Sequence, residues 1–364
     1  MRAPVELRDA AELIEEIALP KGPRWRRLAT ANVLWILLIE VGLVVAFSAI
    51  QPNFLKPFNV RSIVADQSYL IVLAVGETFV IVAAGIDLSV GAVLIFSGVI
   101  AGKVMLSLYA GQSAIGAESA GWGVIVVGIA AGIGAGLAWG VLNGLLTAKA
   151  KMPPFIVTLG TLGMATGGSY LLTGGTDLRG VPTRFTSLIG FGSLFGQIPY
   201  QAVIATVVVV LCALILAYTR FGRYTYAIGS NNEATRRLGI NVDRHIVKVY
   251  ALMGGLAGLA GVMSLAHYTT TTIAGHTTDN LSAIAAVVIG GTSLFGGRGG
   301  VAGSVIGVLI PATLASGFVI IGVNPYWQYV AVGVVLIGAV YLDQVRRRTP
   351  AGTKTTIKVR KDVT

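Results

Sequence analysis

The sequence predicts an all-α fold: a polytopic transmembrane helical bundle of about ten spans, with the N- and C-termini cytoplasmic. Three observations lead there. Of 364 residues, 54% are hydrophobic and only 12% charged, with a mean hydropathy of +0.78. A soluble globular chain carries about 25% charged residues. The apolar residues also fall into runs of about 20, the length that crosses the hydrocarbon of a bilayer. Lastly, the Lys and Arg residues gather at the ends of those runs, mostly on one side.

The runs lie at 31–50, 61–82, 88–107, 122–142, 154–173, 201–219, 246–266, 279–292, 301–321 and 327–343. The eighth is short, and the Gly-rich stretch after it is expected partly to re-enter the membrane. With the N-terminus inside, five of the 27 Lys and Arg residues face out (Lys56, Arg61, Lys103, Arg179, Arg184) and the other 22 face in. That asymmetry sets the orientation. An even number of spans keeps the basic tail inside, a condition that eight or twelve would also meet. The chain thus divides into a cytoplasmic segment (1–30), a membrane domain (31–343) and a basic cytoplasmic tail (344–364).

In the first segment, Ala10, Leu13, Ile14 and Ile17 recur at helical spacing among acidic residues. A solvated or partner-facing helix fits better than one lying on anionic lipid. The basic run Lys21-Gly-Pro-Arg-Trp-Arg-Arg27 then stops it before the membrane, and nothing there reads as a cleavable signal. Pro153-Pro154 opens the fifth span, where a missing N–H is harmless. The 48 glycines suit helices that approach closely in a membrane. The net charge of +11 is explained by orientation in the bilayer, not by nucleic acid. Cys212 stands alone, so there is no disulfide framework.

Two segments echo each other. Val80-Ile-Val-Ala-Ala-Gly-Ile-Asp-Leu-Ser-Val-Gly91 and Val287-Val-Ile-Gly-Gly-Thr-Ser-Leu-Phe-Gly-Gly297 each read as an apolar run, a Gly-rich break and a polar cap. Transporters are often built from repeats with interrupted helices. Chance similarity between apolar Gly-rich segments is the other explanation.

The internal loop 220–245 is the most informative stretch. Ser230 and Glu233 form an S-x-x-E pattern, the signature of a capping box at a helix start. Gly239 sits where a helix end favours a residue without a Cβ. A helix of about two turns is marginal alone in water, so such local encoding implies that it must hold its shape against something. Ser230, Asn231, Asn232, Glu233, Ala234, Arg236, Arg237, Leu238 and Gly239 are the candidate docking residues. A short rod of this kind suits a groove on a soluble partner; the plainer reading is a surface helix linking two spans.

Within the spans, Glu77, Asp87, Ser89, Asn143, Thr158 and Thr161 are candidates for a translocation path or a helix break. Asp87 and Ser89 follow Gly85 and open the third span. Asp87 suits an N-cap, and ionisable groups inside membranes tend to be functional. Thr and Asn often serve as hydrogen-bonding glue between helices.

Certain patterns are missing. No G-x-x-x-x-G-K-[ST] occurs, so no P-loop ATPase is encoded here. Neither a zinc-ligand pattern nor a nucleophile–base–orienter set is visible. No catalytic residue, metal site or bound cofactor is expected.

Several stretches together resemble the ribose-type permeases of bacterial sugar ABC importers, a family related to branched-chain amino acid permeases. They are Gly85-Ile-Asp-Leu-Ser-Val-Gly91, Asn143-Gly-Leu-Leu, Pro154-Phe-Ile-Val-Thr-Leu-Gly160, the run from Tyr226 to Ile240, and Ala283-Ile-Ala-Ala-Val-Val-Ile-Gly-Gly-Thr-Ser-Leu294. The resemblance implies a multi-pass, non-catalytic subunit of the bacterial inner membrane. A second permease subunit, identical or a sister, would complete the path, and an extracytoplasmic binding protein would deliver a monosaccharide. Cytoplasmic ATPase subunits, using ATP and Mg, would grip the helix after Ser230. One departure stands out: the family's Glu-Leu-Asp-like run reads Asp279-Asn-Leu-Ser282 here. The alternatives are an ion-coupled secondary transporter using acids such as Glu77 or Asp87, or an ABC permease for a branched-chain amino acid or nucleoside.

Overall fold

A computed structural model describes residues 31–110, 121–324 and most positions from 326 to 341. The expected N-terminal helix, the basic tail and parts of the tenth run lie outside the described residues. The described chain is mainly helical, with almost no strand. In order it forms α1 (Ala31–Ile50), α2 (Pro57–Val82), α3 (Val90–Ala110), α4 (Trp122–Ala148), α5 (Pro154–Thr173), α6 (Tyr200–Tyr218), α7 (Arg220–Ser230), α8 (Asn232–Arg237), α9 (Val242–Tyr268), α10 (Asp279–Ile289) and α11 (Val301–Ile320). The loop after α5 contains a two-residue antiparallel hairpin, Ser193–Leu194 with Ile198–Pro199.

Eight of these helices are long and apolar enough to cross a membrane. The predicted eighth span is different. α10 has 11 residues, about 16 Å of helix, roughly half the hydrocarbon thickness. It ends at a Gly-rich turn that leads to α11, so the chain covers this stretch as a short helix plus irregular backbone.

α2, α3, α4 and α9 build the centre. α4 carries Gly128, Gly132, Gly136, Gly140 and Gly144, one every fourth residue and therefore along one stripe. Against the middle of this stripe α9 sets Gly254 and Gly258. A Cβ on Gly136 would lie 2.3 Å from the Gly254 carbonyl oxygen, and one on Gly140 2.2 Å from that of Tyr250. Between apolar helices in lipid, the hydrophobic effect gives little drive, so contact at backbone distance supplies the packing. The outer faces of α1, α5 and α6 expose large apolar side chains such as Trp35, Leu38, Phe155, Leu159, Val210 and Leu214. Glu40, inside α1, accepts a hydrogen bond from Thr313 Oγ1 of α11 at 2.6 Å.

α7 and α8 stand at one end of the bundle, together with the N-terminus of α9. This end carries Arg220, Arg223, Arg236, Arg237, Arg244 and Lys248.

Candidate functional site

The link between α2 and α3 is the first interruption. Ala84 takes a left-handed backbone (φ 61°) that an L residue adopts rarely. The turn is fastened from every side. Asp87 accepts from Ser89 N–H at 2.8 Å and from Ser89 Oγ–H at 2.6 Å, and Asn143 of α4 donates to Ser89 Oγ at 2.9 Å. Glu77 of α2 accepts from the Asp87 N–H at 3.1 Å. Thr158 of α5 donates to the Ile86 carbonyl at 3.3 Å, and Asn280 of α10 donates to that of Leu88 at 3.1 Å.

Five of the six candidate path or break residues thus meet at one point, all of them buried. Thr161 does not join them; its hydroxyl donates within α5, to the carbonyls of Val157 and Thr158. The cluster satisfies the polar groups that an interrupted helix leaves without partners, a need that is acute in hydrocarbon.

The second interruption, between α10 and α11, lies against the first. The Gly297 N–H donates to the carbonyl of Val82, the last residue of α2, at 2.9 Å. A Cβ on Gly296 would sit 2.7 Å from that of Ala84. The two segments that echo each other in sequence are therefore neighbours in space.

α7 is wedged into this junction. Tyr226 Oη donates to the Gly299 carbonyl at 2.8 Å. Gly229 meets both breaks: a Cβ there would lie 1.8 Å from Val82 O and 2.7 Å from Gly297 N. Thr225 Oγ1 also pairs with His245 Nε2 of α9 at 2.8 Å.

The capping box expected from Ser230 and Glu233 does not form. Ser230 is the last residue of α7, where its hydroxyl donates back to the Tyr226 carbonyl at 2.8 Å. Asn231 caps α8 instead: its backbone is extended and its Oδ1 accepts from Ala234 N–H at 2.9 Å. Glu233 turns outward and pairs with Arg237 at 2.5 Å. Thr235 Oγ1 donates to the Asn231 carbonyl at 2.7 Å. Gly239 closes the helix with φ 82°, as a Cβ-free terminus requires.

Arg236 and Lys151 both reach Asp243, at 2.7 and 2.8 Å, which ties α8 to α9 and to the loop after α4. The hydrogen bond that Arg236 donates to the Asp243 carboxylate raises the pKa of the guanidinium above its ordinary value. Asn232, Ala234 and Leu238 remain exposed on the open face of α8.

The sequence reading missed a further polar group at the opposite end. His276 Nδ1 donates to Asp279 Oδ2 at 2.7 Å, and its Nε2 lies 2.7 Å from Ser264 Oγ. His267 Nε2 donates to Asp66 Oδ1 at 2.6 Å. The His276-x-x-Asp279 pattern at a helix start is the local signal for the first of these pairs.

Interrupted helices held by buried polar side chains, with α7 wedged against both interruptions, give the architecture of a multi-pass membrane permease. The chain belongs to the family described as branched-chain amino acid transport system / permease component, whose model matches residues 59–340. It is 40% identical over 303 residues to the ribose import permease protein RbsC of Bacillus subtilis, a match covering 83% of this chain and 89% of that one. It is 35% identical to RbsC of Escherichia coli K12 (84% and 91% covered) and 33% identical to the fructose import permease protein FrcC of Rhizobium meliloti (86% of each). No solved structure gives a match.

Proposed function

We propose that this chain is the membrane-spanning permease of a bacterial sugar importer of the ABC type. A binding protein outside delivers a monosaccharide, a second permease subunit completes the path, and separate ATPase subunits, using ATP and Mg, drive it from the cytoplasm. The sugar class rests on the relatives named as ribose and fructose import permeases.

The observation that carries the coupling is the placement of α7 and α8. The end bearing them is rich in Arg and Lys, which makes it the cytoplasmic end. The exposed Leu238 and Ala234 offer an apolar ridge for a groove on the ATPase, flanked by Arg237. Asn231, Thr235 and Asp243 keep the rod in shape. The junction at Tyr226 and Gly229 passes its displacement to both helix breaks. Glu77, Asp87, Ser89, Asn143 and Thr158 hold the first break, and through it the start of α3.

The test is reconstitution of the chain with its ATPase and binding-protein partners in liposomes. Uptake of radiolabelled sugar, from a panel of ribose, fructose, allose and galactose, requires ATP and the binding protein. Uptake by the chain alone, driven by a proton or sodium gradient, overturns the assignment.

A further inference from the structure

The non-helical stretch 269–278 joins the outer end of α9 to α10, and it does not stay on the surface. Lys103 of α3 reaches the Leu172 carbonyl at the outer end of α5. Gly91 lies on the same helix twelve residues earlier, about 18 Å further in. A Cβ on Gly91 would stand 2.9 Å from the His276 carbonyl and 3.3 Å from Asn280 N. The segment therefore dips into the outer half of the bundle.

Yet Ala274, Gly275 and Thr277 are exposed there, and Leu281 follows on the first turn of α10. Irregular backbone at membrane depth persists only where protein covers it or where it lines water. At that depth the face suits water or a second subunit and not lipid.

Its neighbours are polar and aromatic. On α2, Ser62, Asp66 and Tyr69 recur at helical spacing, and the Asp66 side chain is 47% exposed. Tyr69 and Tyr268 meet edge to face with centroids 6.4 Å apart, and Tyr69 packs on His276 at 5.2 Å. Below them, His276–Asp279 is buried, and Asn280 reaches Leu88 beside the first break. A continuous polar seam thus runs from the outer end of the bundle down to the interruption that opens α3.

The seam's chemistry is selective. Each acid is answered by a histidine, and among the described residues no Lys or Arg pairs with either. Asp66 has one carboxylate oxygen on His267 and keeps acceptor capacity for solute hydroxyls. The tyrosine rings give an apolar surface with a polar tip. Aromatic walls with few placed polar groups suit a small neutral ligand. Resting on the permease reading above, we propose that Asp66, Tyr69, Tyr268 and the 274–278 segment line the outer half of the path and form a weak station for a neutral polyhydroxylated solute, a monosaccharide and not a zwitterionic amino acid.

Cysteine accessibility in the full reconstituted transporter tests the placement. The chain's only cysteine, Cys212, is buried. A membrane-impermeant charged thiol reagent added outside labels the Thr277→Cys chain at least ~10-fold faster than the Val210→Cys chain, whose site faces outward from α6. Saturating transported sugar slows that labelling, whereas leucine does not. Asp66→Asn and Tyr69→Phe lower sugar uptake several-fold while ATP hydrolysis stimulated by the binding protein stays within twofold.

Absence of labelling at Thr277→Cys, or labelling unaffected by sugar, overturns the station, and this arm needs neither seam variant to fold. Wild-type uptake by both seam variants overturns it as well. Failure of the wild-type complex to take up any sugar with ATP sinks the permease reading instead, so the two failures are distinct.

Discussion

Tyr226 Oη donates a hydrogen bond to the Gly299 carbonyl at 2.8 Å, joining α7 to the loop between α10 and α11 across 73 residues of chain. Such a bond contributes about 0.5–1.5 kcal/mol net, too little to decide folding. It is well placed to decide whether movement of α7 reaches the second break. Tyr226→Phe keeps the ring and removes the bond. The expected outcome is near-normal assembly and ATP hydrolysis with several-fold less sugar moved per ATP. Measuring both rates in one liposome preparation checks this, and an unchanged ratio refutes it.

The caps of α8 make a paired prediction. Asn231→Ala removes the side-chain acceptor of Ala234 N–H and should cost about 1 kcal/mol of helix stability. Ser230→Ala removes only a bond to its own helix and should cost under about 0.5 kcal/mol. Affinity for the partner ATPase, measured on detergent-purified chain, should fall about fivefold for Asn231→Ala and stay unchanged for Ser230→Ala. Equal effects would restore Ser230 as the cap.

Glu233 pairs with Arg237, and both side chains are about three-quarters exposed. An exposed pair of this kind stabilises by less than about 1 kcal/mol and is screened by salt. Glu233→Ala should leave thermal stability in detergent unchanged. Any loss of uptake in that variant then reports on contact with the ATPase.

The glycine stripe of α4 separates close packing from mere flexibility. Gly136→Ala places a Cβ 2.3 Å from the Gly254 carbonyl, whereas Gly134→Ala meets nothing within 4 Å. The first should lower the melting temperature in detergent by many degrees or prevent assembly. The second should match or exceed wild type, since Ala is the better helix former by about 1 kcal/mol. Fluorescence-detected size exclusion after heating distinguishes them.

Most of the fold was legible because bilayer thickness imposes a length on every apolar run. α5 and α6 begin and end within a residue of their expected limits, and α1 ends at Ile50 as expected. α10 starts at Asp279 and is short, as expected, but it stops at Ile289 and not at residue 292, because an apolar run records burial without recording which backbone path achieves it. Ser230 was misjudged for a different reason. Ser230 and Asn231 are adjacent capping residues, and the choice falls to whichever has extended backbone. Since α7 continues through Ser230, only Asn231 is free to cap. The break residues were visible as polar side chains on apolar runs, but their convergence was not. Glu77 and Asn143 come from separate helices, and only tertiary packing brings both to the turn at Asp87. The seam at Asp66 and His267 depends on a contact spanning 201 residues, which no local pattern announces.

Gly229 has no side chain, and there is no room for one beside Val82 and Gly297. Three backbones therefore press on one another there with no deformable cushion between them. On the coupling proposed above, a displacement of α7 has little slack to take up before α2 and the turn ahead of α11 must shift with it. A methyl group added at that point would prise the three backbones apart at rest and so disconnect α7 from both turns.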